Sequence, residues 1–313
     1  MILVTGGAGF VGSNLIAALE ERGHRGIAVC DRLGKGDRWR NLAKRAVGTV
    51  FAPEGLTGFL DETGAAVEAV FHFGFGESGT DVDRMLEAEY HAAADLWAWC
   101  AGNDVPFFYA STAETYGDGS AGFDDDIDEA ALARLVPLTP RGWTRHMFDR
   151  AVARTVAAGS RRPPQWAGLK LFDVYGPNEY HKEDPSLPLL LWRDAAVAGL
   201  DPGVRRDLVW IGDCIAAMIW LLDSPDVSGL FNVGTGTGRP IAEIAASVSD
   251  AAGRRIAIPE GTGPVGRDAR FGHSTEARID RLRAAGFDPP FLTVEEGIGR
   301  YVRDFLARGD PYL

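Results

Sequence analysis

Short apolar runs alternate with amphipathic stretches along most of this chain. Residues 2–4 (ILV) suit a buried strand, lead straight into glycines at 6, 7, 9 and 12, and give way to a helically spaced segment over 13–22. Residues 26–31 (GIAVCD) predict the next strand, and 66–73 (AVEAVFHF) another, ended by Gly74, Phe75 and Gly76. Over 83–101, Met85, Leu86, Tyr90, Ala93, Ala94 and Trp97 recur at helical spacing, which marks one core-facing helix. Residues 105–110 (VPFFYA) predict a strand that delivers Ser111 and Thr112 to its carboxyl end. Residues 140–157 predict a helix and 166–176 (WAGLKLFDVYG) one long strand. Strands at 208–211 and 230–233 frame an apolar helix, and from Ile241 the chain reads as short helices with small strands.

This alternation over the first two-thirds predicts an α/β fold, a Rossmann-type doubly wound parallel sheet with a smaller α+β C-terminal substrate domain. The expected division is 1–171 for nucleotide binding, with 207–238 returning to it, and 172–206 with 239–313 for substrate. Strand, glycine turn and helix in that order suit a dinucleotide. Gly6 makes the tight turn, Gly9 lets the backbone approach a pyrophosphate, and Gly12 lets helix pack on strand. The diphosphate then lies on the helix start at Phe10 and Val11, where free N–H groups favour negative charge. Asp31, about 20 residues after the loop, suits ribose hydroxyls. Arg32, Lys35 and Arg38 follow and suit a 2′-phosphate, so the residues leave NADP or NAD open. Open sheets of this kind place ligands at the carboxyl ends of their strands, where Ser111 and Thr112 present hydroxyls.

The formal charge of −12 argues against a general nucleic-acid or anionic-membrane surface. No apolar run reaches the roughly 18 residues a membrane span needs. The chain opens on a core strand rather than a signal peptide, and Cys30, Cys100 and Cys214 form no CxxC pair. These features predict reduced thiols in a cytoplasmic protein. The acidic run 123–130 (FDDDIDEA) has no histidine at ligand spacing, so it reads as a solvated loop and helix start, with no metal.

The stretches TGGAGFVGSN, FYASTAETYG, VYGPNEYHK, RRDLVWIGD and FNVGTG resemble the extended short-chain dehydrogenase/reductase superfamily of nucleotide-sugar enzymes. Within it, HK after YGP and LRAAGFDPPFLTVEEGIGRYV look most like the ADP-glyceromanno-heptose 6-epimerase branch. The resemblance implies a nucleotide-sugar substrate, transient hydride transfer through a held nicotinamide, and a homo-oligomer. It assigns catalysis to Thr112 and Lys182. Nicotinamide-side contacts fall to Phe73, Gly74, Phe75, Arg145 and Val174, and substrate contacts to Ser111, Asp173 and Arg206.

That superfamily carries a Tyr and a Lys four residues apart on the helix after the acidic loop. Here PLTPRGWTRHMFDRAV places Arg141 and Arg145 there, and no tyrosine in the chain has a lysine four residues later. Arginine keeps its proton and cannot be a general base. The stretch Phe73-Gly74-Phe75-Gly76-Glu77 is less polar than the superfamily's, Ala88 replaces an asparagine, Asp173 another, and the segment from Gly199 to Arg206 is short. Three expectations follow. One is an epimerase that uses Lys182 and Thr112, or a substitute acid–base among His146, Tyr180 and His181. Another is a binding protein that has lost turnover. Altered redox chemistry is a third.

Overall fold

The computed structural model describes residues 1–75, 81–194, 200–256 and 273–313. Its centre is a seven-stranded parallel sheet. The strands are β1 (Ile2–Thr5), β2 (Ile27–Cys30), β3 (Thr49–Phe51), β4 (Ala69–His72), β5 (Phe107–Thr112), β6 (Trp166–Leu171) and, later in the chain, Gly229–Val233. That last strand lies beside β6, so the order is Gly229–Val233, β6, β5, β4, β1, β2, β3. The direction of winding reverses between β1 and β4, and a crevice opens there at the carboxyl ends.

Alternate residues of β1 explain the two layers. Ile2 and Val4 pack with Leu15, Ile16 and Leu19 of α1 (Phe10–Glu21), whereas Leu3 shares the opposite core with Leu96 and Trp97. The first third also carries α2 (Leu56–Thr63) and α3 (Val82–Met85). Leu96 and Trp97 belong to α4 (Ala92–Asn103), which is followed by α5 (Glu129–Leu132) and α6 (Pro140–Ala157). Thr139 caps α6 by accepting from Gly142 N, and Pro140 sits at its first turn, where a missing N–H costs nothing.

Beyond β6 the chain forms β7 (Asp173–Tyr175), α7 (Leu187–Arg193), β8 (Arg205–Arg206), β9 (Leu208–Trp210), α8 (Ile211–Leu222) and β10, the strand Gly229–Val233. It ends with β11 (Arg239–Pro240), α9 (Ile241–Ala252), α10 (Asp280–Ala284) and α11 (Val294–Tyr301). Small parallel and antiparallel ladders join β7 to β9 and β11 to β8.

Four expectations need correction. The single strand over 166–176 breaks at Phe172, whose N–H turns to Val233 O while Asp173 N bonds Asp207 O, so β7 leaves the main sheet. Residues 208–210 join β7 rather than that sheet, and Ile211 already begins α8. The helix over 83–101 is interrupted by a π-helical turn, Leu86–His91. The acidic run is not wholly solvated: Asp125 is buried and accepts Asn232 N at 2.7 Å. The edge strand β3, mostly exposed, was not foreseen. The three cysteines are free and buried, and among the described residues no helix is long and apolar enough to cross a membrane.

Candidate active site

At the crevice, Gly6 adopts φ +70°, and a Cβ there would lie 2.3 Å from Gly74 O, so the turn after β1 is held against the end of β4. A Cβ on Gly12 would lie 2.4 Å from Gly6 O; this glycine seats the helix on its own turn more than on a strand. α1 has no side-chain cap, and its first bond is Ser13 N to Gly9 O. The amides of Phe10, Val11 and Gly12 therefore project from the helix start, as an anion site requires.

Asp31 ends β2 with a fully buried carboxylate that accepts from Ala8 N at 2.8 Å and Arg32 N at 2.7 Å and pairs with Arg38 at 3.3 Å. Burial pushes its carboxyl up, against the pull of Arg38 and these amides. The Arg38 guanidinium stands beside Gly9, and its buried Nε has no partner among the described residues. That orphaned donor beside a cradle of bare backbone fits a nucleotide phosphate or ribose. Arg32 pairs with Glu54 after β3. Both line an open cleft of about 720 Å³ that continues past Phe75, Asp83, Arg84, Glu87, Ala88 and Ala92. Its size and place at the ends of β2, β3 and β4 suit an adenosine half.

Arg145 projects from α6 onto the ends of β4 and β5. It donates to Ala110 O at 2.7 Å and Phe73 O at 3.3 Å, and pairs with Glu89 of the π-helical turn at 2.7 Å. Both side chains are nearly buried, at 15% and 8% exposure, so the pair closes this edge of the crevice. His72 lies underneath, with Thr5 Oγ1 2.7 Å from its Nδ1; burial and then the Arg145 charge hold it neutral, down to about 3. Phe75 packs edge-on against His72. One turn before Arg145, Arg141 is exposed. Gly76, Glu77 and Gly199 lie outside the described residues.

The loop after β7 holds Lys182, whose ammonium sits 5.3 Å from the centre of the Phe10 ring, at the start of α1. Its neighbour His181 has Nδ1 3.3 Å from Asn41 Nδ2; burial, Arg38 and Lys182 depress it to about 4. Tyr180 donates to Pro311 O at 2.9 Å, and burial raises its phenol well above the ordinary range. Thr112 ends β5 half-exposed, its hydroxyl accepting Glu114 N at 3.2 Å.

The three expected substrate contacts already have protein partners. Ser111 turns inward and donates to Asp149 at 2.7 Å, so burial takes its hydroxyl out of the crevice. Asp173 and Arg206 pair with each other through bonds of 2.7 and 2.8 Å, so each side chain already has a protein partner. Arg206 also donates to His273 O and is only 7% exposed. Val174 is half-buried between them and packs on the core. Two groups went unforeseen. Glu89 pairs with Arg145 from another helix, which no local spacing signals. Lys170 and Asp149 form a wholly buried pair at 2.8 Å, with Tyr109, Ser111 and Thr115 hydroxyls around it. A lysine in the apolar run WAGLKLF was the available sign.

Residues 2–234 match the model of the NAD dependent epimerase/dehydratase family. The chain belongs to that family. Over the full length of both chains, it is 36% identical to the ADP-L-glycero-D-manno-heptose-6-epimerase of Nitratidesulfovibrio vulgaris (strain DP4). It is 32% identical to the protein of that name in Fusobacterium nucleatum, again over all of both chains. Among solved structures, the Helicobacter pylori ADP-L-glycero-D-manno-heptose-6-epimerase superposes with a TM-score of 0.77 at 23% identity, covering 97% of this chain and 95% of that one. The Thermus thermophilus UDP-glucose 4-epimerase, in complex with NAD, gives 0.73 at 25%, covering 96% and 97%. In this NAD dependent epimerase/dehydratase chain, the glycine turn, the bare helix start and Asp31 lie together at the carboxyl ends of β1 and β2.

Proposed function

We propose that this chain binds NAD along the crevice and acts on a nucleotide-linked sugar, as an epimerase of the ADP-heptose type. The helix start with three projecting amides beside Gly6 and Gly12 carries the cofactor half of this reading; full-length identity to the named heptose epimerases supports the substrate half. Asp31, Arg32 and Arg38 would hold the adenosine side, and Phe73, Gly74, Phe75, Arg145 and Val174 the nicotinamide side. We assign the substrate to the part built from 172–206 and 239–313. NAD, when bound, supplies a reversible hydride acceptor.

Proton traffic at the sugar then falls to Lys182, with Thr112 orienting the hydroxyl. Arg145 fixes charge at the strand ends but relays no proton. Removing one member of a positioned acid–base pair costs about 10² to 10⁴ in rate. This chain, with Arg141 in the tyrosine place, is accordingly expected to be slow. The Arg145–Glu89 pair favours a second reading, a protein that holds NAD and a nucleotide sugar without turnover. NMR of an ADP-linked heptose incubated with protein and NAD decides between them. Epimerisation abolished by Lys182→Ala supports the first reading. NAD binding with no conversion supports the second, and no NAD binding by calorimetry sinks both.

A further inference from the structure

We infer that residues 310–313 are a strap that sets the Lys182 loop on the start of α1, with Asn178 as the positioning residue through which it acts. The strap lies across two segments at once. Lys44 donates to Tyr312 O at 2.6 Å and pairs with Asp310 at 3.0 Å, and the Arg40 guanidinium stacks 4.5 Å over the Tyr312 ring. On the other side, Tyr180 donates to Pro311 O, and its ring meets Tyr312 edge-on at 5.2 Å. Tyr312 is thereby 8% exposed, a wedge between the loop after β2 and the loop that carries Lys182.

The last backbone amide, Leu313 N, donates to Asn178 Oδ1 at 3.0 Å. Asn178 is 1% exposed and holds φ +73°, the left-handed region that asparagine enters more readily than other non-glycine residues. Its amide passes the contact on, donating to Ser13 Oγ at 3.0 Å in the first turn of α1. Asn14 donates to Pro177 O at 3.0 Å, and Asn41 donates both to Asn178 O at 3.0 Å and to Ala8 O at 2.9 Å, within the glycine turn. Strap, loop, helix start and glycine turn are thus one chain of hydrogen bonds, and Lys182 stands four residues beyond its hub. The strap's bonds run to Lys44, Tyr180 and Asn178, so it acts by fixing the loop's place.

The inference rests on the cofactor reading above, and two measurements keep the two apart. Asn178→Gly keeps the backbone conformation and removes only the side-chain bonds; deletion of 310–313 removes the strap. Hydrogen exchange of amides 179–182 tests the strap without any ligand: each change is expected to speed it at least tenfold. Calorimetry with NAD tests the consequence: each is expected to weaken binding about fivefold to tenfold, in the range of ordinary coupling between sites. Combined, they should do no more than the stronger one alone. Tyr312→Phe, which keeps ring and backbone, should match wild type in both, and Tyr312→Ala substitutes for the deletion if that variant folds poorly. Unchanged exchange, or effects that multiply in the combined variant, overturn the strap. Faster exchange in a protein that binds no NAD upholds the strap and overturns the cofactor reading instead.

Discussion

Acid stability tests the buried interior most directly, through His146. This side chain is 4% exposed on α6, its Nδ1 has no partner among the described residues, and burial followed by the charge of Lys170 depresses it to about 4; Asp149 and Glu129 pull the other way, and Arg150 adds to the depression. The unfolded chain protonates this imidazole below about pH 6.5, while the folded chain keeps it neutral. Protons therefore favour the unfolded state, and the stability this group confers is whole above pH 6.5 and drains away as pH falls toward 4. At pH 5 the loss from one such histidine is about 2 kcal/mol, since each unit of separation is worth about 1.4 kcal/mol. His146→Leu removes the titration and strands no hydrogen-bond partner. Urea unfolding at pH 7.5 and pH 5.0 should show wild type losing about 2 kcal/mol more than the variant across that interval. Asp125 opposes the trend in both proteins, because burial raises it to about 6 and its protonation favours the folded state, so only the difference between the proteins is read. Identical pH slopes in the two would refute the buried neutral imidazole.

Lys170→Met strands the Asp149 carboxylate with hydroxyl donors alone, a change expected to cost roughly 3–5 kcal/mol and to lower Tm by about 5–8 °C for a chain of this length. Calorimetric scanning checks it, and a shift under about 2 °C would show that the pair is not closed to water. Glu54→Gln removes one carboxylate partner of Arg32 just after β2, so NADPH should gain roughly two- to fivefold on NADH in fluorescence titrations; an unchanged ratio means Arg32 does not face the ribose. Restoring Arg141→Tyr with Arg145→Lys should raise epimerisation seen by NMR. Adding Glu89→Gln should raise it further, because the carboxylate beside residue 145 offsets the cationic field a phenol needs. No gain in either protein would place the fault in the pocket itself.

Much of the fold was legible because strand and helix patterns are local. The βαβ opening, the helix over 140–157 and the strand ending in Ser111 and Thr112 stand where periodicity put them. What escaped depends on partners distant in sequence. β3 is three residues of exposed edge with no apolar alternation, and the break at Phe172 comes from Val233 and Asp207 drawing adjacent amides to different strands. The glycine turn was legible for the same local reason, whereas the pairing of Asp173 with Arg206, each expected as a substrate contact, was not. Charges assigned one at a time to a substrate can also satisfy one another, and spacing alone carries no sign of which they do.

Arg145 shows the same logic at the chemical centre. A guanidinium nearly out of water at two strand ends needs a counter-charge, and carbonyls from Ala110 and Phe73 soften but do not neutralise it. Glu89 supplies that charge from a π-helical turn, a helix irregularity that commonly sits at functional sites. Arg145 and Glu89 are therefore one feature, each compensating the other's charge away from water. A lysine in that place could lend its charge to a neighbouring phenol, but this arginine has its charge taken up by Glu89 and has no phenol beside it on α6. On the proposed function, grip on a dinucleotide and proton transfer to a sugar are in this way physically separable in this chain. The proposed grip depends on backbone amides at α1 that the pair leaves untouched, and the proposed proton transfer rests on Lys182 in the opposite loop.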